Sequence, residues 1–391
     1  MAIRLSDRMT NVSYEIRDIM VRAKKVEASG KKIHYFNIGD PNKFGFAPPQ
    51  HITDAVKEAL SDRKYSAYCP SKGDPELCGA IGKIEGISGD DITIHSGLSE
   101  GIEFLIQALV NPGEHVLLPS PSYPLYITKL RILGGGENYY PCDSEFVPDL
   151  DAIRNSINEK TRAIVVINPN NPTGASYPRK TLEGIANIAA EFKLPIIADE
   201  IYDRLTLDEE HAVNMRDVIS SDQLLISGNG ISKNFTYPGA RVGYLAFHGD
   251  GIEVLRDAIV KFCNQRLSVN WEMQRGALAA FTMPESHIAD FKVALRLRRD
   301  IVHKRLNEIT GLSCVRPKAA FYAFPKVESA NFKDDREFVY QLLEETGVLV
   351  IPGSSFSPLL GEKHFRVVFL ASPAELNEAF FKIEHFMKGA H

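Results

Sequence analysis

Residues 223–244 read QLLISGNGISKNFTYPGARVGY. The first part is a near-continuous apolar run closed by turn residues. The second part is made of glycine, serine, proline and aromatics around Lys233 and Arg241, eight positions apart. An apolar run without polar alternation, set between helical segments, reads as a strand covered on both faces, the habit of parallel sheets. Lysines on ordinary loops sit among other charges, whereas this turn holds no third one. In an open parallel sheet, ligands bind just beyond the carboxyl ends of the strands, so a lysine and an arginine placed there read as working groups.

The same pattern repeats outward from this stretch. DITIH (91–95) is a short β-branched run, followed by a turn at Gly97 and then by SEGIEFLIQALV, whose apolar spacing is helical until Asn111-Pro112-Gly113 stops it. EHVLLPS (114–120), AIVVINPNNPTG (163–174) and LPIIADEIYD (194–203) add further buried strands, and a helix is expected from Pro178 through LEGIANIAAEFK. These elements make a three-layer α/β/α domain with a mainly parallel sheet. The charged amphipathic stretch from Pro284 to Thr310 reads as a helix bridging to a second unit. FYAFPKV, REFVYQLLEETG, VLVIPG and FRVVFL then suggest a smaller α+β domain. PNKFGFAPP (41–49) punctuates the chain as a crossover does. The expected division is a large domain over 46–285 and a small one formed by 1–45 with 286–391.

Composition limits the classes open to such a chain. With 391 residues, 44% apolar and 24% charged residues and a formal net charge of −5, it reads as globular and ordered. No basic run is present to neutralise a phosphate backbone, so nucleic acid is not an expected partner. The charged N-terminal stretch has no apolar core, and no segment approaches the roughly 18 apolar residues of a membrane span. Cys69, Cys78, Cys142, Cys263 and Cys314 include no CxxC pair, and the histidines show no metal-ligand spacing. The expectation is a cytoplasmic protein with no metal site and no disulfide framework.

The residues after each apolar run form an unusual set. Gly97, Leu98 and Ser99 stand at a helix N-terminus, where free N–H groups bind anions. Tyr123 follows the second run, Asn171 lies in NPNNPTG, and Asp199 and Tyr202 follow PIIA. Lys233 and Arg241 complete the set. Together they suit a phosphorylated aromatic heterocycle. The helix N-terminus, Ser99 and Arg241 take the phosphate, and Tyr123 stacks on the ring. Asp199 holds the ring nitrogen protonated, Asn171 and Tyr202 hydrogen-bond its phenolate oxygen, and Lys233 is the reacting amine.

NPNNPTG, ADEIY, SKNFTYPGARVG and FRVVFL, in that order over nearly the whole chain, resemble the class I aminotransferases of pyridoxal-phosphate fold type I. The resemblance implies the cofactor pyridoxal 5′-phosphate and a ping-pong transfer of an amino group from an L-amino acid to a 2-oxoacid. It also implies Lys233 as Schiff-base lysine, Asp199 on the pyridine nitrogen, Asn171 and Tyr202 on the 3′-oxygen, and Tyr123 as the stacking ring. Gly97, Leu98, Ser99 and Arg241 are placed around the phosphate, with Ser232 available in place of a hydroxyl that the family often has where this chain has Gly230. Ala240 stands where many members have tryptophan. Arg366 and Gly39 are implied as the grip on the substrate α-carboxylate, a guanidinium being able to make two parallel bonds to it. Tyr65, in KYSAY, is implied to reach the phosphate in the site of a second subunit, which implies a homodimer. VLLPSPSYPLYITKL, FCNQRLSVNW and PKAAFYAFPKV look most like the alanine aminotransferase branch, with alanine and glutamate as donors, and Arg266 is the candidate partner for a second carboxylate.

Other readings stay open at this point. Aspartate, aromatic or diaminopimelate specificity fits the same motifs, and so does a β-lyase, because the same lysine, aspartate and arginine support elimination. A non-catalytic binding module has the same fold but no need of Lys233. GNGISK is a poor dinucleotide motif, since its last position is lysine and no ribose-binding acid follows at the right spacing.

Overall fold

The computed structural model describes residues 3–9, 15–209, 211–284 and 286–389. Helix α1 (Glu15–Ala28) and the short strand β1 (His34–Tyr35) lead into α2 (Gln50–Ser61) and α3 (Pro75–Glu85). The central sheet follows with β2 (Ile92–Ser96), β3 (His115–Ser120), β4 (Asn138–Pro141), β5 (Thr161–Ile167), β6 (Ile196–Asp199), β7 (Leu225–Gly230) and β8 (Val242–His248). Its order is β2-β8-β7-β6-β5-β3-β4. Only β8 runs antiparallel to its two neighbours; the other pairs are parallel. The sheet is thus mainly parallel, as the apolar runs require.

The strands are buried on both faces because alternate residues serve different cores. Ile164 and Val166 of β5 face one cluster, and Ala163, Val165 and Ile167 face another. The second cluster is closed by α4 (Leu98–Leu109), α5 (Pro124–Leu133) and part of α8 (Glu253–Arg266). The first takes in α6 (Leu150–Ser156) and α7 (Arg179–Phe192) and continues without a break into residues from both chain ends, such as Phe36, Phe321, Val367 and Phe380. Each fully buried Val, Ile or Phe contributes about 1.5–3 kcal/mol, so this shared core ties the terminal segments firmly to the sheet. A third cluster packs α2, α3 and α9 (Trp271–Thr282) against β2 and β8.

Boundaries follow the local chemistry. Pro178 is the N-cap of α7 rather than its first residue, and α4 ends at Leu109, one residue before Val110 caps it. The charged stretch after Pro284 is a 23-residue helix, α10 (Ser286–Glu308), about 35 Å long at 1.5 Å per residue. Its buried face includes Lys292 and Arg299, and Arg299 donates to Asp208 and Asp300 at 2.8 Å each, which is how a buried stripe of this helix carries charge. The chain ends meet where His34 and Tyr35 pair in parallel with Val348 and Leu349. Beside them Phe365–Val368 forms antiparallel pairs with Tyr322–Ala323 and with Ile351–Pro352. The strands β4 and β8 were not singled out by the apolar pattern. β8 directly follows the lysine-to-arginine turn, and its run VGYLAFH is fully buried. Among the described residues, no helix is long and apolar enough to cross a membrane.

Candidate active site

The carboxyl ends of β5, β6 and β7 open into a cavity of about 490 Å³, into which residues from both chain ends also project. Leu98, Ser99, Tyr123, Asn171, Asp199, Tyr202, Ser232, Lys233, Arg241, Gly39 and Arg366, all proposed from the sequence, line it. This set brings together residues 327 positions apart, since Gly39 and Arg366 come from opposite ends of the chain (366 − 39).

One end of the cavity is a helix N-terminus. Gly97 caps α4 with φ 71°, a left-handed conformation that suits glycine. A Cβ there would collide with the guanidinium of Arg241. That guanidinium lies across the turn and donates to the carbonyls of Pro238 at 3.1 Å and Ser96 at 3.2 Å. Gly243 of β8 lets the Gly97–Leu98 backbone rest directly on the sheet, because a side chain there would overlap it. Amides, Ser99 and an arginine therefore converge on one spot, which is a place for an anion.

The floor carries Asp199 at the end of β6, only 4% exposed. Burial pushes its carboxyl up to about 7, opposed by the Ile201 N–H and the Tyr126 hydroxyl. Ile201 N donates to Oδ1 at 3.4 Å and Tyr126 Oη to Oδ2 at 3.5 Å. No cation is paired with Asp199 among the described residues, so its charged form calls for a cationic ligand beside it. Lys233, beyond β7, donates from Nζ to the Gly39 carbonyl at 2.8 Å. Burial pushes its amine down to about 8; Asp40 opposes this, while Arg366 and Arg241 add to it. An amine near neutrality is a usable nucleophile and proton carrier.

The NPNNPTG loop divides its asparagines between structure and site. Asn168 donates to the Val213 carbonyl at 3.0 Å and accepts from Tyr177 N at 2.8 Å. Asn170 accepts from the Thr173 hydroxyl at 2.9 Å. Asn171 is thereby presented to the cavity, where its Oδ1 accepts from Arg366 Nη1 at 3.0 Å. Arg366 Nη2 donates to the Asn37 carbonyl at 2.6 Å, and the guanidinium lies 4.9 Å from the Tyr322 ring and 4.7 Å from the Phe356 ring. The Tyr202 and Tyr322 hydroxyls are 2.6 Å apart.

Three residues expected at a site from the sequence do not line this cavity. Arg266 does not line the cavity. Its Nη2 donates to the Ile94 carbonyl at 3.0 Å and its Nε lies 3.5 Å from Glu100. Glu100 in turn accepts from Ser96 N at 2.9 Å, so Arg266 supports the turn beneath the anion end and offers no charge to a substrate in its own chain. Tyr65 also lies outside this cavity, edge-on to Trp271 at 5.2 Å. Gly97 stands behind the lining, shaping it through Arg241. Conversely, Asn37, Tyr126 and Tyr322 were not recognised from the sequence. Tyr126 sits one helical turn after Tyr123, a spacing that could have flagged it. Nothing local distinguishes Tyr322 from Phe321 in FYAFP.

A doubly covered, mainly parallel sheet thus carries, at its strand ends, a cavity that joins a helix N-terminus and an arginine to a lysine beyond β7 and a cation-free carboxyl at the end of β6. Comparison with known proteins identifies the family. Residues 31–383 match the family model for class I and II aminotransferases. The glutamate–pyruvate aminotransferase AlaA of Escherichia coli (strain K12) is 34% identical, covering 100% of this chain and 99% of that protein. The alanine aminotransferase of Mycobacterium tuberculosis (strain H37Rv) is 34% identical over 99% of this chain and 93% of its own length. The solved structure of an alanine aminotransferase from Pyrococcus furiosus is 40% identical, with a TM-score of 0.95 and coverage of 99% and 100%. The chain belongs to the class I and II aminotransferases and has the fold type I architecture of the pyridoxal-phosphate-dependent transferases. It is an amino-group transferase.

Proposed function

We propose that the cavity binds pyridoxal 5′-phosphate and that the enzyme transfers the amino group of L-alanine or L-glutamate to a 2-oxoacid. The observation that carries this reading is the buried, cation-free Asp199 in the same cavity as the Lys233 amine. A protonated ring nitrogen is the counter-charge Asp199 needs, and the α4 N-terminus with Arg241 is the matching site for the phosphate. When bound, the cofactor supplies an electron sink for the bond broken at the substrate α-carbon. The protein does the rest. Lys233 would hold the cofactor and carry the proton at the substrate α-carbon. Tyr123 would lie against the ring, Asn171 and Tyr202 would donate hydrogen bonds to its oxygen, and Arg366 would bind the α-carboxylate.

The substrate assignment rests on the names of the relatives and on charge. The cavity's cations among the described residues are Lys233, Arg241 and Arg366. Two would serve the cofactor and Arg366 the α-carboxylate, which suffices for the side chain of alanine and leaves the second carboxylate of glutamate to neutral donors of the cavity. We also take the enzyme to be a homodimer, with Tyr65 entering the second subunit's site. We take residues 46–285 as the cofactor-bearing domain and 1–45 with 286–391 as the substrate-gripping one. A cytoplasmic setting suits its five free cysteines. The test is turnover of the cofactor-loaded protein with 2-oxoglutarate and single donors. L-Alanine should exceed L-aspartate in kcat/KM by about tenfold or more. Faster turnover of aspartate contradicts the substrate assignment, and no turnover with any donor contradicts the activity.

A further inference from the structure

One side chain joins the Arg366 guanidinium to the Tyr202 hydroxyl. Tyr322 lies opposite Val368 in an antiparallel pair, two residues from Arg366 on the same short strand. Its ring is 4.9 Å from the Arg366 guanidinium and its hydroxyl is 2.6 Å from that of Tyr202. Gly39 leaves room for this reach, since a Cβ there would stand 2.6 Å from the Tyr322 oxygen. Both phenols line the cavity and both are buried, with exposures of 3% for Tyr202 and 2% for Tyr322.

Two buried hydroxyls can share one hydrogen bond in two ways. With Tyr202 as donor, its proton is turned away from the cavity. With Tyr322 as donor, the Tyr202 proton is left for an acceptor on the ligand, and accepting one bond makes Tyr202 the stronger donor in the next. A ligand oxygen facing Tyr202 selects the second arrangement. We infer that Tyr322 is a positioning residue: its hydroxyl donates to Tyr202 and aims the Tyr202 proton at the cofactor's ring oxygen, while its ring braces Arg366 for the substrate carboxylate. The inference rests on the pyridoxal-phosphate reading above.

The test is a pH titration of the visible absorbance band of the cofactor-loaded protein, in the unmodified chain, Tyr322→Phe, Tyr202→Phe and the double variant. A donor on the ring oxygen draws charge from it and eases loss of the proton that the oxygen shares with the Lys233 nitrogen. Weakening that donor therefore raises the midpoint. Tyr322→Phe should raise it by less than Tyr202→Phe does, and should add nothing in the double variant. Tyr322→Leu, which also loses the ring, should raise the KM for the donor amino acid more than Tyr322→Phe. A Tyr322→Phe midpoint equal to that of the unmodified protein, or one whose shift adds fully to that of Tyr202→Phe, overturns the inference and leaves the cofactor reading standing. A loaded protein with no visible band overturns both.

Discussion

At the anion end of the cavity the ligand-facing groups, Leu98, Ser99, Ser232 and Arg241, all come from turns at the strand ends of the central sheet, between β2 and β8. At the carboxylate end they are side chains drawn from across the chain, with Asn37, Asn171, Tyr322 and Arg366 assembled only once both termini have packed on the sheet. The difference separates two tasks. On the proposed function, the anion end would hold a group common to every turnover and is built by the sheet's own turns. The carboxylate end would select the substrate and is built by packing of both chain ends on the sheet. Substitutions at the two ends should therefore fail differently, one in cofactor affinity and the other in KM.

Lys233 serves both ends, and its loss should have the largest effect. Lys233→Ala is expected to lower kcat on the order of 10²–10⁴-fold, as removal of a positioned proton carrier does, when turnover is measured with saturating cofactor and donor. Next comes Arg366→Leu, which deprives the substrate carboxylate of its buried partner. A loss of about 2–5 kcal/mol, roughly 30- to 4,000-fold in kcat/KM for the donor, should appear while cofactor affinity holds. Cofactor affinity falling as much as kcat/KM would break the separation of the two ends. Gly97→Ala is the reciprocal test. Its Cβ would stand 2.2 Å from Arg241 Nη2 and push that guanidinium aside. Cofactor affinity by equilibrium titration should weaken roughly 10- to 100-fold, as loss of a charged hydrogen bond of about 1.5–3 kcal/mol does, with donor KM at saturating cofactor little altered.

Asp199 gives a pH signature. Its carboxyl is raised to about 7 by burial, above the unfolded value of about 3.9. Between those pH values the folded cofactor-free protein binds the proton and the unfolded chain does not, so Asp199 makes stability fall as pH rises from about 4 to 7. Melting curves of the cofactor-free Asp199→Asn variant should lack that component, and bound cofactor should abolish it in the unmodified protein. The smallest effect belongs to Arg266→Met. It should lower the melting temperature, because Glu100 loses its guanidinium partner, yet leave the ratio of donors with one and two carboxylates the same. A changed ratio would return Arg266 to the substrate.

How much of this was legible in the sequence follows the same division. The sheet could be read because β3, β5, β6 and β7 are buried on both faces and show continuous apolar runs. The anion end could be read because its groups sit directly after those runs. β8 escaped notice because it begins at the residue after Arg241, inside what reads as a site loop. Tyr322 escaped because which of Phe321 and Tyr322 meets the cavity is set by strand register against Val367 and Val368, 44 and more residues away. Arg266, expected to meet a second carboxylate, lies outside the cavity for a related reason. It ends helix α8, and only folding shows Glu100 beside it.

The central claim is that Lys233 is the amine that holds the cofactor. Borohydride reduction of the pyridoxal-phosphate-loaded protein, followed by peptide mass spectrometry, tests it directly. The account predicts a stable phosphopyridoxyl group on the peptide containing Lys233, lost when L-alanine is added before reduction. A group on another lysine, or none on any, would contradict it.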